Sequence, residues 1–249
     1  MESDFTGKEA YRQYFNPKDY LNMHMQFESE NIPVHEDLFS FVLKNLQKAF
    51  LVDGIGGDTL IDIGSEIIDT DFLEQNREEM KKWLKKDPEA FDWTSMVKYT
   101  CQLEGNREKW MEKEEKLRKI IKRVLKCDVT LANPLDPLIL KPADCVLSTF
   151  CLESACKDLP TYRAAVRNVG SLVKPGGHLI FVVVTQETFY MVGPHRFSSL
   201  YLTPEMVRDA VKEAGFHILW SKMASLHWSP EITDAHDVIF MVAQKLNGA

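Results

Sequence analysis

No stretch of the chain holds the roughly 18 consecutive apolar residues that a membrane-spanning helix needs, and the start, Met1-Glu2-Ser3-Asp4, is too acidic for a signal or transit peptide. A soluble, unprocessed, cytoplasmic protein without a membrane partner is the expectation. Cationic excess is missing too: 30 Lys and Arg against 37 Asp and Glu leave a net charge of -7. Proteins that hold nucleic acid concentrate Lys and Arg into a basic surface, so nucleic acid is not an expected partner and a small molecule fits better. Cysteine is scarce and odd in number: five residues, at positions 101, 127, 145, 151 and 156, show no CxxC pair and no His at zinc-ligand spacing. That argues for reduced thiols and against a metal site; Cys127 and Cys145, inside apolar stretches, read as small core residues. Internal repeats and low-complexity tracts are absent.

What is present suits one α/β domain of 249 residues, 45% of them hydrophobic. Residues 1–35 mix aromatic and polar groups around Phe15-Asn16-Pro17-Lys18-Asp19-Tyr20, too irregular for one helix and too aromatic for a disordered tail, so they read as a cap. Leu38, Phe39, Val42, Leu43, Leu46 and Phe50 fall on one face of a helix over 36–50. The β-branched run 59–65 predicts a buried first strand. Further on, helices are expected over about 74–86 and 107–122, and strands over 125–129 and 143–149. A helix over 159–173 halts at Lys174-Pro175-Gly176-Gly177, before an apolar central strand over 178–185. Thr203-Pro204 caps a helix that Gly215 closes, and two strands near 216–222 and 237–244 suggest an antiparallel edge hairpin. Strand and helix taking turns implies a parallel sheet.

Ligands of open α/β sheets sit beyond the carboxyl ends of the strands. Asp62-Ile63-Gly64 lies at such an end. No GxGxxG follows Ile63, which disfavours a dinucleotide oxidoreductase. Asp71 ends the next β-branched run, where a carboxylate can accept from two ribose hydroxyls; a solvated turn aspartate is the plainer alternative. Asp128, Val129 and Thr149 also sit at strand ends. There a carboxylate can accept an exocyclic amine and a β-branched neighbour can pack a ring, although each alone is equally an ordinary loop residue.

Six stretches together carry a resemblance: Phe15-Asn16-Pro17-Lys18-Asp19-Tyr20-Leu21, Leu60-Ile61-Asp62-Ile63-Gly64-Ser65, Lys82-Trp83-Leu84-Lys85-Lys86, Val124-Leu125-Lys126-Cys127-Asp128-Val129, Lys174-Pro175-Gly176-Gly177-His178-Leu179 and Tyr190-Met191-Val192-Gly193. Over nearly its whole length the chain resembles the nicotinamide, indolethylamine and phenylethanolamine N-methyltransferase family. The resemblance implies a Rossmann-like α/β sheet with a reversed last strand, an N-terminal cap over 1–50, a core over 58–249, and S-adenosylmethionine as cofactor. By position, Tyr20 and Gly64 resemble contacts to its methionine part, Asp71 and Asn76 to ribose, Asp128 and Val129 to adenine, and Thr149 to its centre. Val183, Tyr190 and Ser199 are similar to acceptor-site positions. The substrate so implied is a small amine, pyridine or thioether, methylated by a monomer.

Methyl transfer from a sulfonium is an in-line displacement that needs alignment in a dry pocket rather than a nucleophilic triad. An acid near the acceptor helps an aliphatic amine arrive or become neutral; Glu153, Glu187 and Asp144 are candidates, Glu153 lying nearest the family's pattern. Three departures stand out. His24 and Met25 replace a tyrosine pair, removing a hydroxyl toward the cofactor carboxylate. Val183 stands where nicotinamide-methylating members carry an aspartate, which favours an indolethylamine-like amine or a thioether over nicotinamide. After Ser65 the family's loop and crossover helix are missing. Because parallel neighbours ordinarily need a crossover of about a dozen residues, the first two strands are not expected to pair as the family's do, and a catalytically impaired relative is the alternative reading.

Overall fold

The computed structural model describes residues 5–24, 38–55, 59–61, 66–225 and 228–248. Its centre is a seven-stranded sheet: β1 (Thr59–Ile61), β2 (Glu66–Asp71), β3 (Ile121–Lys126), β4 (Ala143–Thr149), β5 (Val173–Thr185), β8 (Phe216–Ser225) and β9 (Asp237–Lys245). They lie in the order β3-β2-β1-β4-β5-β9-β8. The first five are mutually parallel, and β9 runs antiparallel to both β5 and β8. The expected reversed last strand is therefore present, and the hairpin β8–β9 closes one edge.

Alternation sets the layers. Along β5, Leu179, Phe181 and Val183 face one core while Ile180 and Val182 face another; along β9, Ile239, Met241 and Ala243 join the first, and Val238, Phe240 and Val242 the second. Strands buried on both faces read as unbroken apolar runs. Tyr162, Ala165, Val166 and Val169 of α8 (Leu159–Ser171) and Val207, Ala210 and Val211 of α9 (Pro204–Glu213) cover the first face. Leu38, Phe41 and Val42 of α3 (Leu38–Gln47) cover the second. Both covering helices on the first face start as read from sequence: Asp158 accepts from Thr161 N at 2.8 Å, and Thr203 Oγ1 from Met206 N at 3.3 Å, with a proline in each first turn. Gly177 is needed for close approach, since a Cβ there would meet Asp144 O at 2.7 Å.

Several expectations need correction. Parallel pairing of β1 with β2 does occur, at Thr59↔Glu66 and Leu60↔Ile67. With β1 only three residues long, the return from 61 to 66 is about 5 Å sideways and about 7 Å back, which five Cα–Cα steps of about 3.8 Å can cover. The crossover helix itself is still missing. The strand expected over 125–129 instead spans Ile121–Lys126, because Lys122 and Arg123 belong to an edge strand, where charge discourages further pairing, rather than to the preceding helix. That helix, α6, covers Trp110–Ile120 after a 3₁₀ turn. The Lys174–Gly177 turn lies within β5, as an irregularity between the Ala143↔Val173 and Cys145↔His178 pairs. A helix α5 (Thr94–Leu103) was not anticipated. Among the described residues no helix is long and apolar enough to cross a membrane.

The cap is two helices, α1 (Lys8–Tyr14) and α2 (Pro17–His24). Asn16 Oδ1 caps α2 by accepting from Lys18 N and Asp19 N, at 2.9 and 3.2 Å. The cap rests on a separate hairpin, β6 (Phe189–Val192) and β7 (His195–Ser198), through a cluster of Tyr11, Phe15, Tyr20, Tyr190, Val192 and Phe197. Thr6 and Ser198 exchange bonds, Thr6 N to Ser198 Oγ at 2.7 Å and Ser198 N to Thr6 Oγ1 at 2.8 Å.

Candidate active site

The carboxyl ends of β2, β4 and β5, the loop after β3, the cap and the residues around β6 enclose a cavity of about 500 Å³. Tyr20, Asp71, Asn76, Asp128, Val129, Thr149, Glu153 and Tyr190, all singled out from sequence, line it together. Gly64 and Met25 lie outside the described residues.

One wall is polar. Asp71 ends β2; its Oδ1 accepts from Leu73 N at 2.7 Å and its Oδ2 from Asn76 Nδ2 at 3.0 Å. Asn76 projects from α4 (Glu74–Leu84), and its Oδ1 is buried with no partner. An unpaired buried acceptor is costly, so a donor from a ligand would be favoured there. Burial pushes the Asp71 carboxyl up, against the pull of Asn76 and the Leu73 N–H. The solvated-turn alternative does not fit a half-buried, twice-bonded carboxylate on a cavity wall.

The adjoining wall holds Asp128 and Val129, just beyond β3. Asp128 accepts from Thr130 Oγ1 at 2.6 Å and from Lys8 Nζ of α1. Burial alone would raise its carboxyl, but bonds from Lys8 and Thr130 hold it below the usual range. Lys8 had no signal in the sequence, since nothing local marks a lysine that reaches 120 positions away.

The opposite end is aromatic and acidic. Tyr11 and Tyr190 hydroxyls meet at 2.7 Å; the Tyr20 ring stacks near His24 at 4.8 Å, and His24 near Trp228 at 5.3 Å. His24 Nε2 bonds the Met191 carbonyl at 2.7 Å, and burial lowers its pKa, which favours the neutral ring. Glu153 sits on a one-turn helix, α7 (Leu152–Ala155), with Oε1 accepting from Val184 N at 3.1 Å and Oε2 buried and unpartnered. Burial, with repulsion from Glu187 added, pushes its pKa up to about 8. Glu187 also lines the cavity, is raised by burial, and accepts from Thr233 Oγ1 at 2.7 Å. Sequence reading gave it no preference over Asp144, which instead pairs with Lys174 away from the cavity.

Two expected acceptor-site residues are placed elsewhere. Val183 is wholly buried in the core beneath α8 and α9; alternation along β5 turns its neighbour Val184 to the cavity instead. Ser199 lies outside the lining, its hydroxyl beside Glu187 and countering the upward push of burial on that carboxyl. The Cys127 thiol is not a nucleophile at neutral pH, because burial pushes it up to about 11. Among the described residues no cluster could hold a metal ion.

Strand order, the reversed β9 and a cavity over the strand ends together define a Rossmann-like methyltransferase fold. The magnesium protoporphyrin IX methyltransferase of Synechocystis, solved with bound SAM, shares that fold with a TM-score of 0.56 over 98% of this chain and 100% of that one, at 12% identity. The NNMT/PNMT/TEMT family profile matches residues 2–246, and the chain belongs to that family. It is 49% identical over 262 residues to nicotinamide N-methyltransferase of Homo sapiens, with 99% of each chain covered. It is 46% identical over 264 residues to indolethylamine N-methyltransferase of Oryctolagus cuniculus, with 100% of each covered. Both alignments are longer than the chain's 249 residues, so these relatives carry residues that have no counterpart here.

Proposed function

We propose that the chain moves a methyl group from S-adenosylmethionine to the nitrogen of a small amine, and that an aryl-alkyl ammonium is preferred over nicotinamide. The observation that carries this is the pair Glu153 and Glu187, two buried carboxyls at one end of the cavity with aromatic rings around them and no cation bonded to either among the described residues. An ammonium entering there meets the unpartnered Glu153 Oε2 and a second acid, Glu187, and its aryl group meets Tyr20, Tyr190 and Trp228. A dialkyl sulfide, neutral and without donors, gains nothing from the two acids.

The nucleoside end fits the cofactor. Asp71 and the orphaned Asn76 Oδ1 would hold ribose hydroxyls, Val129 would pack the base, and Asp128 would accept the base's amine. Bound there, S-adenosylmethionine would supply an electrophilic methyl on a sulfonium. The chain's own part is to align the acceptor, exclude water beneath the cap, and take a proton. An ammonium must lose its proton before its lone pair can attack. A carboxylate raised toward 8 is a better base for that than one at its ordinary value.

A second reading has its own observation. Four residues stand where a crossover helix would present its N-terminus to an anionic group, which supports a chain that keeps the cavity and turns over little. Initial rates on matched phenylethylamine, tryptamine, dimethyl sulfide and nicotinamide test both. Amines are expected to be fastest, with Glu187→Gln slowing them at least tenfold and leaving nicotinamide less affected. Nicotinamide faster than both amines would overturn the acceptor assignment, and no turnover of any would favour the second reading.

A further inference from the structure

One side chain of the cap, Lys8, reaches past its aromatic packing to bond at the nucleoside end of the cavity. Lys8, in the first turn of α1, donates to Asp128 Oδ2 and to Thr130 Oγ1, the latter at 2.8 Å. Its ammonium also lies 5.3 Å from the centre of the Phe72 ring, itself on the cavity wall. The other bonds named for α1 go elsewhere: Tyr11 to Tyr190 and the neighbouring Thr6 to Ser198, both on the β6–β7 hairpin, with Gln75 Nε2 reaching the Phe15 carbonyl at 3.1 Å. Lys8 alone among them ends on a carboxylate that faces the ligand space.

We propose that Lys8 is a positioning residue that latches the cap through Asp128, so that opening of α1 and occupation of the base end are coupled at one carboxylate. This rests on the proposed nucleoside site. Asp128 Oδ1 is taken by the Thr130 hydroxyl and N–H, and Oδ2 already accepts from Lys8, leaving one acceptor direction on Oδ2 for a base amine. A ligand that donates there shares the oxygen with Lys8. One that leaves must pass a cap held shut by the same atom. The Lys8 side chain is 42% exposed against 11% for Asp128, so the ion pair is a weak latch and its effect belongs in rates more than in fold stability.

The test uses the full-length chain with S-adenosylhomocysteine as probe, in stopped-flow association and dissociation, alongside hydrogen exchange of residues 5–24 without ligand. Lys8→Gln is expected to raise both rate constants by about threefold to tenfold while affinity changes less than either, and to speed exchange across α1. Lys8→Arg is expected to restore wild-type rates. In an Asp128→Asn background, Lys8→Gln is expected to change nothing further, because the latch acts through that carboxylate. Unchanged rates and exchange in Lys8→Gln, or an equal effect in the Asp128→Asn background, would overturn the latch. If the probe does not bind at all, the nucleoside-site reading fails on its own, and the exchange of ligand-free Lys8→Gln against Asp128→Asn still decides whether this pair holds the cap.

Discussion

Glu153→Gln is the substitution that most sharply separates a ligand-facing acid from a structural one. The side chain is 2% exposed, and burial together with repulsion from Glu187 moves its titration from the ordinary 4.5 to about 8. Raised in the folded state, the group binds a proton there that the unfolded chain has already released between those two pH values. Its contribution to stability is therefore full below about 4.5, declines as pH rises toward 8, and levels off beyond. By linkage the whole decline is worth roughly 4–5 kcal/mol as an upper figure. Glutamine mimics the neutral acid and can still accept from the Val184 N–H through its carbonyl oxygen. Melting curves of wild type and Glu153→Gln between pH 5 and 8.5 are expected to lie closest at pH 5 and to separate progressively up to about pH 8, with the variant the more stable. An amine ligand should narrow the gap by compensating the charge in wild type only. Parallel curves across the whole range would refute the buried-acid argument.

Three further outcomes follow from the geometry. Asp71→Asn should weaken S-adenosylhomocysteine binding about tenfold in calorimetry, the typical cost of one charge-assisted bond, with melting temperature nearly unchanged. Asp158→Ala, which removes the α8 cap, should cost about 1 kcal/mol, a few degrees of melting temperature, and leave ligand affinity alone; lost affinity there would mean that α8 and the site are coupled. Val183→Asp should destabilise the chain by several kcal/mol, since a charge would enter the core beneath α8 and α9, and should not confer activity on nicotinamide; a stable variant with that activity would return position 183 to the acceptor site.

The sheet was legible in the sequence wherever burial is two-sided and a cap or a turn residue punctuates it. The apolar run at 178–185, the Thr203-Pro204 start and Gly215 each carry a local physical cause, and each stands where it was expected. Local signals failed where tertiary position decides. The start of the charged edge strand, Ile121 and Lys122, reads as the end of a helix because Lys favours helices when packing is ignored, while Leu125 and Lys126 read as strand. That Asp71, Asp128 and Thr149 share one cavity was readable because they sit at or just past strand ends, and strand ends are where such folds bind. The cavity's acidic, aromatic end was not. Glu187 looks like any surface carboxylate until the cap and hairpin close over it, and Val183 faces the core while its neighbour Val184 lines the cavity, since one residue of alternation in a strand reverses the face.

The most direct test is calorimetric titration of S-adenosylhomocysteine into the full-length chain. Asp71, Asn76 and Asp128 line the cavity, while only four residues join β1 to β2 in place of a crossover helix, so saturable one-to-one binding is expected, weaker than in a relative with that helix by about tenfold to a hundredfold. Adding phenylethylamine to the saturated protein should produce a second heat that is lost in Glu187→Gln. Absence of any heat at millimolar S-adenosylhomocysteine would contradict a working nucleoside site, and with it the methyltransferase reading of this cavity.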